Sequence, residues 1–178
     1  MTFEGNHKVR RKIYQVIDGM TDEEFNRKPS EHDWSPKQIL EHLALMETYI
    51  AAKIAAELKN KESRRASKKL IVLSGNLMMK DDLPEATKPT DSFKKVSEMK
   101  EELHNSRIYL LDVYDGSCKD MDNLREKSLE HPNLGLMPLE QWFPVVGMYE
   151  KCHLKMLKKT INELRIHGLA SELNTDAK

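Results

Sequence analysis

Several features are scarce in this 178-residue chain, and each scarcity excludes a class of protein. Glycine and proline number seven each, too few for an all-β protein built on many tight turns. The two cysteines fit neither a zinc-binding spacing nor a disulfide framework. Basic and acidic residues number 29 each, so the chain lacks the basic excess typical of duplex nucleic-acid binders. No apolar run approaches the ~20 residues that a membrane span needs.

The composition that remains is typical of a soluble, helix-rich domain. Hydrophobic residues make up 39% of the chain and charged residues 33%. The N-terminal residues 1–11 lack the apolar segment of a signal peptide, so we expect a cytoplasmic protein with reduced thiols. Nothing marks a second folding unit. We therefore expect one domain over residues 1–170 and a polar tail over residues 171–178.

Four long segments carry apolar residues at three- and four-residue steps, the pattern of amphipathic helices. The second of them begins at Ser35-Pro36, where a serine N-cap precedes a proline at the first helical position. Before it, Thr21 and Glu24 predict a capping box for a short helical turn. The four predicted helices run over about residues 6–20, 35–59, 91–114 and 138–167.

The lengths of the connections predict how these helices are arranged. A short link makes the first and second helices antiparallel neighbours. The connection over residues 60–90 is long enough to cross the bundle, so the second and third helices should run parallel. Within this connection, residues 64–79 are expected to add a further helical piece. The sequence therefore predicts an all-α four-helix bundle with a long crossover between helices two and three.

Two of the seven histidines, His42 and His153, fall on apolar faces in the middle of long helices. Bundle cores build metal sites from inward-pointing side chains, and imidazole suits zinc, nickel, copper or iron. The alternative is a core histidine satisfied by one hydrogen bond. His131 lies in a loop and is expected to be a turn residue. The remaining histidines are expected on the surface: His7, His32, His104 and His167.

Tyr149 precedes His153 by four residues, so both side chains point the same way. A tyrosine can ligate a metal as phenolate, but its ordinary pKa near ~10 makes that costly. In a core, a phenol more often donates a hydrogen bond. We expect the neighbouring Glu150 to face outward or sideways and Cys152 to be a small buried apolar residue.

Other signals of chemistry are weak. The chain contains no glycine-rich phosphate loop, nucleophile elbow or HExxH motif. The basic stretch from Lys61 to Lys69 is most simply a solvated surface. Its alternative role is to dock a phosphate or an acidic partner.

The pattern of these residues resembles the DinB-like family, in the branch of bacillithiol transferases and YfiT-type metal-dependent hydrolases. Its first marker is DWSP at 33–36 followed by ILEHL at 39–43, which looks like the family's W-S-x-x-x-[IV]-[LV]-x-H-L entry into helix two. The second is HPNLG at 131–135 followed by PLEQW at 138–142. The resemblance covers about residues 9–164. It implies an up-down-down-up four-helix bundle.

The resemblance also implies a divalent metal, zinc or nickel, held by three histidines. One falls on His42, and an H-x-x-x-H pair falls on Tyr149 and His153, so the first histidine of that pair is replaced. We therefore expect weak or absent metal. Three outcomes stay open: Tyr149 completes an altered site, water or a carboxylate replaces the ligand, or the pocket is empty with Tyr149 hydrogen-bonded to His42 or His153.

For function, the resemblance implies metal-assisted transfer of a low-molecular-weight thiol to an electrophile, or a related hydrolysis. The replaced ligand predicts that this activity is reduced or lost. The alternative is a non-catalytic bundle that binds a small ligand or serves a stress response. A third reading, DNA-damage-related binding, rests on the family's name alone, and the neutral charge argues against it. The resemblance implies a homodimer; we expect no nucleic-acid or membrane partner.

Overall fold

The computed structural model describes residues 4–70, 84–117 and 121–175. Four long helices form the bundle, and two short helices, a 3-10 turn at Glu85–Thr87 and one β-hairpin connect them. In chain order the helices and strands are α1 (Glu4–Ile17), α2 (Asp22–Asn26), α3 (Pro36–Lys59), α4 (Val96–Ser117), α5 (Met121–Glu126), β1 (Ser128–His131), β2 (Gly135–Pro138) and α6 (Leu139–Thr175).

Contacts between the long helices fix their directions. Glu41 near the start of α3 binds Lys94 just before α4, and Glu47 farther along α3 binds Ser106, so α3 and α4 are parallel. His42 meets His153, whereas the later part of α3 packs against the start of α6, so these two helices are antiparallel. The four long helices therefore run up, down, down and up, which confirms the predicted topology.

The first long helix, α1, packs mainly against α6. Arg10 of α1 reaches both Glu150 of α6 and Glu47 of α3. Residues later in α1 share an apolar cluster with residues later in α6, so these two helices are parallel. The prediction that α1 and α3 are antiparallel is confirmed, but the main packing partner of α1 is α6.

Capping explains where α3 begins. The hydroxyl of Ser35 accepts a hydrogen bond from the backbone N–H of Gln38 at 3.1 Å, and the Gln38 side chain accepts one from the Ser35 N–H at 3.1 Å. Pro36 takes the first helical position, where its missing N–H costs nothing. The predicted start of α3 is therefore confirmed, and it fixes the register of every later residue in the helix.

The next long helix, α4, begins at Val96, about five residues later than the sequence predicts. Side chains of α2 account for the delay. Asn26 accepts a hydrogen bond from the Lys94 N–H at 3.0 Å, and Asp22 accepts one from the Val96 N–H at 2.9 Å. These contacts hold the chain before Val96 in an extended path across α2.

The further helical piece predicted over residues 64–79 is wrong for its described part, since residues 64–70 are not helical. The side-chain amide of Gln141 pairs with the Lys69 backbone, accepting from its N–H at 2.8 Å and donating to its carbonyl at 3.0 Å. Ser128 donates to the Arg64 carbonyl. Backbone groups that a helix would use are thus taken up by β1 and α6. Residues 71–79 lie outside the described residues.

The β-hairpin was not predicted from the sequence. Its antiparallel register pairs His131 with Gly135 across a three-residue turn. Gly135 has a φ of 68°, the left-handed conformation that closes such turns and that favours glycine. The helix that follows, α6, extends to Thr175, beyond the end predicted near residue 167.

Two apolar clusters fill the bundle, one at each end. Between the clusters, the long helices carry buried polar residues. These polar residues are interspersed in sequence with residues of the two clusters. We call this set the polar layer: Arg10, His42, Glu47, Arg107, Glu150 and His153. In the described part of the chain, no helix is long and apolar enough to cross a membrane.

Four charged members of the polar layer form an ion quartet: Arg10, Glu47, Arg107 and Glu150. Each arginine contacts both glutamates, with Arg10 to Glu47 at 2.9 Å and Arg107 to Glu150 at 3.0 Å. Both carboxylates are fully buried. The expectation that Glu150 faces outward or sideways is therefore wrong, because two guanidinium groups hold it in the core.

Candidate metal centre

His42 is held at the inner face of α3 by a hydrogen bond to the chain that crosses the bundle. Its Nδ1 lies 2.6 Å from the Thr87 carbonyl oxygen in the 3-10 turn. Because a carbonyl can only accept, Nδ1 carries the proton and donates it. The other ring nitrogen, Nε2, therefore presents a lone pair. His42 is only 4% exposed, so its ring lies in the protein interior.

A polar clamp fixes the Thr87 carbonyl against His42. Lys37 binds Glu41 at 2.8 Å and donates to the Thr90 carbonyl at 2.8 Å. Glu41 in turn accepts the Thr90 N–H at 2.8 Å. Lys37 is buried, and its charge is balanced by Glu41. The clamp attaches the crossover to α3 one turn from His42. It thereby holds the Thr87 carbonyl at Nδ1 of His42 and leaves Nε2 as the nitrogen without a proton.

His153 lies on α6 opposite His42, with the two ring centroids 5.1 Å apart and the rings tilted by 41°. Its Nδ1 donates to the Tyr149 carbonyl oxygen at 2.7 Å. Its Nε2 is buried and has no hydrogen-bond partner among the described residues. The structure thus brings together the two predicted histidines, each with Nδ1–H on a backbone carbonyl and a lone pair on Nε2.

Tyr149 makes its hydrogen bond with a histidine that the sequence did not single out as part of a site. Its hydroxyl oxygen lies 2.7 Å from Nε2 of His131, and the two rings are parallel. The bond expected to His42 or His153 goes to His131 instead. His131 does lie at a turn, as predicted, yet its side chain is buried and joins the pocket. Trp142 also packs on the His131 ring, at 5.3 Å between centroids.

Burial keeps every ring in this pocket uncharged near neutral pH. It lowers the pKa of His42 and of His131. The pKa of His153 falls to about 3, through burial first and the nearby His42 second. Burial raises the pKa of Tyr149 to about 12, with a smaller contribution from Cys152. The pocket therefore offers neutral imidazole nitrogens and a neutral phenol.

The two histidines fit a metal ion, whereas the third donor fits poorly. Zn–N bonds of about 2.0–2.1 Å on a tetrahedral ion place two imidazole centroids about 5 Å apart. Metal-binding histidines also donate their second N–H to a carbonyl or carboxylate, as His42 and His153 do. Among the described residues, no three histidine, cysteine, aspartate or glutamate side chains are grouped to hold a metal.

The remaining predicted residues lie away from the pocket or at its edge. Cys152 is half-buried rather than fully buried, and Cys118 lies outside the described residues. His7, His32 and His104 are exposed, as predicted, while the His167 side chain lies outside the described residues. In the basic stretch, Lys68 pairs with Glu140 and Arg65 with Glu126.

The buried His153 predicts a loss of stability in mild acid. Its pKa in the folded protein is about 3, while its ordinary value is 6.5, so the unfolded chain binds a proton that the folded chain refuses between these values. The free energy of unfolding therefore falls as the pH drops below 6.5, because protonation favours the unfolded chain. From pH 6.5 to 5 this fall amounts to about 2 kcal/mol. Urea unfolding of the metal-free protein across this range measures the loss.

Two variants check that assignment. His153→Leu should show a smaller fall in unfolding free energy between pH 6.5 and 5 than the wild type. His104→Ala, which changes an exposed histidine, should keep the wild-type slope. Equal slopes in all three proteins would show that His153 is not held neutral in the folded state.

Comparison with known proteins agrees with the architecture. Residues 6–157 match the model of the DinB superfamily. The uncharacterized protein YuaE of Bacillus subtilis (strain 168) is 27% identical over 153 residues, covering 86% of this chain and 93% of YuaE.

Two solved structures share the fold. TT2238, a four-helix bundle protein, superposes with a TM-score of 0.60 at 16% identity, over 88% of this chain and 95% of that one. YfiT from Bacillus subtilis, described as a probable metal-dependent hydrolase with an unusual four-helix bundle topology, gives 0.55 at 14% identity, over 93% and 85%.

Proposed function

Because the chain belongs to the DinB superfamily, we propose that its pocket is a degenerate divalent-metal site whose catalytic activity is reduced or lost. His42 and His153 would hold the ion, and Tyr149 stands where a third ligand is expected. The activity concerned is transfer of a small thiol to an electrophile, or a related hydrolysis. The description of YfiT as a probable metal-dependent hydrolase supports the hydrolysis and its dependence on a metal.

The observation that carries the proposal is the pair of imidazole Nε2 atoms that offer lone pairs. Both His42 and His153 spend their Nδ1 protons on backbone carbonyls, so both Nε2 atoms are lone-pair donors. For His153 this lone pair is buried without a partner in the described part of the chain, which is costly unless something binds it. A cation satisfies both nitrogens at once.

Zinc and nickel are the ions we propose, since both accept neutral imidazole. Such an ion supplies a Lewis acid that lowers the pKa of a bound thiol or water. Around it, this chain's own residues position the histidines and exclude water: Thr87 orients His42, and the two apolar clusters close the ends of the pocket. The proposed cellular location is the cytoplasm, where small thiols stay reduced.

Weak binding follows from the third position. Tyr149 is neutral, and its oxygen already bonds to His131. An outer-sphere loss alone typically costs about 10–100-fold in metal affinity, and loss of a direct ligand costs more. Reduced affinity lowers the fraction of protein that carries an ion and, with it, any metal-dependent turnover.

A second candidate is a non-catalytic pocket that binds a small molecule. One observation favours it: His153 Nε2 is a buried acceptor without a partner among the described residues. A small ligand with a hydrogen-bond donor would satisfy this acceptor without any metal.

Calorimetric titration with zinc and nickel separates the two candidates. The metal site predicts weak but saturable binding that His42→Leu and His153→Leu each reduce by about 100-fold or more, while His104→Ala leaves it unchanged. Binding that is insensitive to both core variants would refute the metal site. Thiol conjugation to an electrophile is then measured with saturating ion, and robust turnover would refute the reduced activity.

A further inference from the structure

His131 has its tautomer fixed by the turn in which it lies. The backbone N–H of Asn133 points at Nδ1 of His131 at 3.1 Å. Because an N–H can only donate, Nδ1 must carry the lone pair, and the proton of the neutral ring sits on Nε2. The turn that closes the hairpin therefore determines that Nε2, on the opposite side of the ring, is the protonated nitrogen.

This tautomer determines what Tyr149 can do. Nε2–H of His131 donates to the phenol oxygen at 2.7 Å, so the proton of that hydrogen bond comes from the histidine. The phenol keeps its own proton, which points away from His131. Tyr149 is 8% exposed, and among the described residues its hydroxyl group hydrogen-bonds only to His131, so this O–H is a buried donor that still needs an acceptor.

His42 and His153 have the opposite tautomer. Their Nδ1 atoms donate to carbonyls, and their Nε2 atoms offer lone pairs. Tyr149 and His153 lie four residues apart on one face of α6, so a phenol O–H is presented one helical turn from a bare imidazole nitrogen. The pocket thus pairs a cation-binding side with a donor side.

Resting on the proposed metal site, we infer that His131 is a positioning residue that keeps Tyr149 a neutral hydrogen-bond donor, so that Tyr149 binds an acceptor-bearing, anionic ligand instead of the metal. A thiolate sulfur or a carboxylate oxygen has this chemistry, and a hydrogen bond to a charged acceptor is stronger than one to a neutral acceptor. Tyr149 in this view selects the ligand that enters beside His42 and His153.

The tautomers are tested first, in the metal-free protein. Long-range ¹H–¹⁵N spectra of the histidine rings distinguish a protonated Nε2 from a protonated Nδ1. We expect protonated Nε2 for His131 and protonated Nδ1 for His42 and His153, which serve as internal controls in the same spectrum. Assignment comes from the three single substitutions. A protonated Nδ1 in His131 would overturn the inference whether or not a metal binds.

The role of Tyr149 is tested with cobalt(II) as the metal and azide as the anionic probe, both followed by visible absorption. If Tyr149 donates, Tyr149→Phe should lower azide affinity by about tenfold or more and change cobalt affinity only slightly. If Tyr149 ligates, the same variant should lower cobalt affinity by more than about 100-fold and leave azide affinity unchanged or raised. Because the two roles predict different changes in cobalt affinity and in azide affinity, the experiment distinguishes them.

His131 is tested by rescue. His131→Phe removes the donor to Tyr149 and should weaken azide binding, whereas His131→Gln retains an N–H and should restore most of it. Equal azide affinity in both variants would overturn the positioning role. Absence of cobalt binding in the wild type would refute the proposed metal site and the role of Tyr149 in binding a ligand there. The spectra of the metal-free protein would still show whether His131 donates its Nε2 proton to Tyr149.

Discussion

Glu47→Gln should destabilise the protein by about 3–5 kcal/mol, the range found when one member of a buried ion pair is removed. Glu47 is fully buried and accepts hydrogen bonds from Arg10, Arg107 and Ser106. The glutamine keeps the volume but removes the charge, so two guanidinium groups remain with one carboxylate. Urea unfolding of the metal-free protein at pH 7 measures the loss.

Acid should reduce this difference between variant and wild type. Burial raises the pKa of Glu47, but the charges of Arg10 and Arg107 outweigh it, and the pKa ends below its ordinary value of 4.5. Ionised Glu47 therefore stabilises the folded protein above pH 4.5, and this contribution is lost as the pH falls through the lower pKa of the folded state. The gap between Glu47→Gln and wild type should narrow over that range.

Two further variants control for non-specific effects of losing a carboxylate. Glu163→Gln breaks a surface pair with Lys159, whose nitrogen lies 3.5 Å away, and should cost less than about 1 kcal/mol. The double variant Glu47→Gln with Arg107→Gln restores the charge balance and should lose less stability than the sum of the two single changes. A Glu47→Gln loss no larger than that of Glu163→Gln would show that the quartet does not depend on its charges.

The sequence predicts the positions of His42 and His153 because helical periodicity fixes faces once a helix start is known. The Ser35 cap sets the register of α3, and the apolar stripe places His42 on its inner side. The same reasoning applies to His153 on α6. The structure places both rings in the core with their centroids 5.1 Å apart.

The ion quartet could not be predicted in the same way. Periodicity assigns charged residues to solvent and so predicts that Glu150 faces outward or sideways, although it is buried. Its burial depends on Arg10 and Arg107, which lie on two other helices. Only the packed arrangement of four helices brings these charges within contact, and no local pattern carries that information.

His131 is an intermediate case. A signal for its turn exists, because Pro132, Asn133 and Gly135 follow His131 within four residues. That signal predicts a turn and thus accounts for the backbone around His131. It does not predict that the ring crosses to Tyr149, which is 18 residues away and on another element. The turn was predictable, and the contact was not.

Tyr149→His should raise zinc and nickel affinity by about 100-fold or more, since it supplies a third imidazole to the pocket. The new side chain lies one helical turn from His153, and two histidines at this spacing on one helix face can grip a single ion. His42 completes the set from α3. Calorimetric titration of the variant against the wild type measures the gain, and Tyr109→His on the exposed side of α4 controls for non-specific binding.

The tautomer of His131 also affects the metal affinity expected of Tyr149→His. An introduced imidazole that ligates through one nitrogen carries a proton on the other, which needs an acceptor. His131 in its present tautomer offers a second proton at that place, so the two N–H groups oppose each other. Adding His131→Gln supplies a carbonyl oxygen in its place. The double variant should therefore bind at least as tightly as Tyr149→His alone.

The pair of variants distinguishes two reasons for weak binding. A gain in both would show that replacement of one ligand is enough to explain a degenerate site. A gain in metal affinity in the double variant alone would show that the His131 tautomer, which the hairpin turn fixes, also opposes metal binding. No gain in either would mean that His42 and His153 do not face a common point, and the proposal of a metal site would fall with the geometry on which it rests.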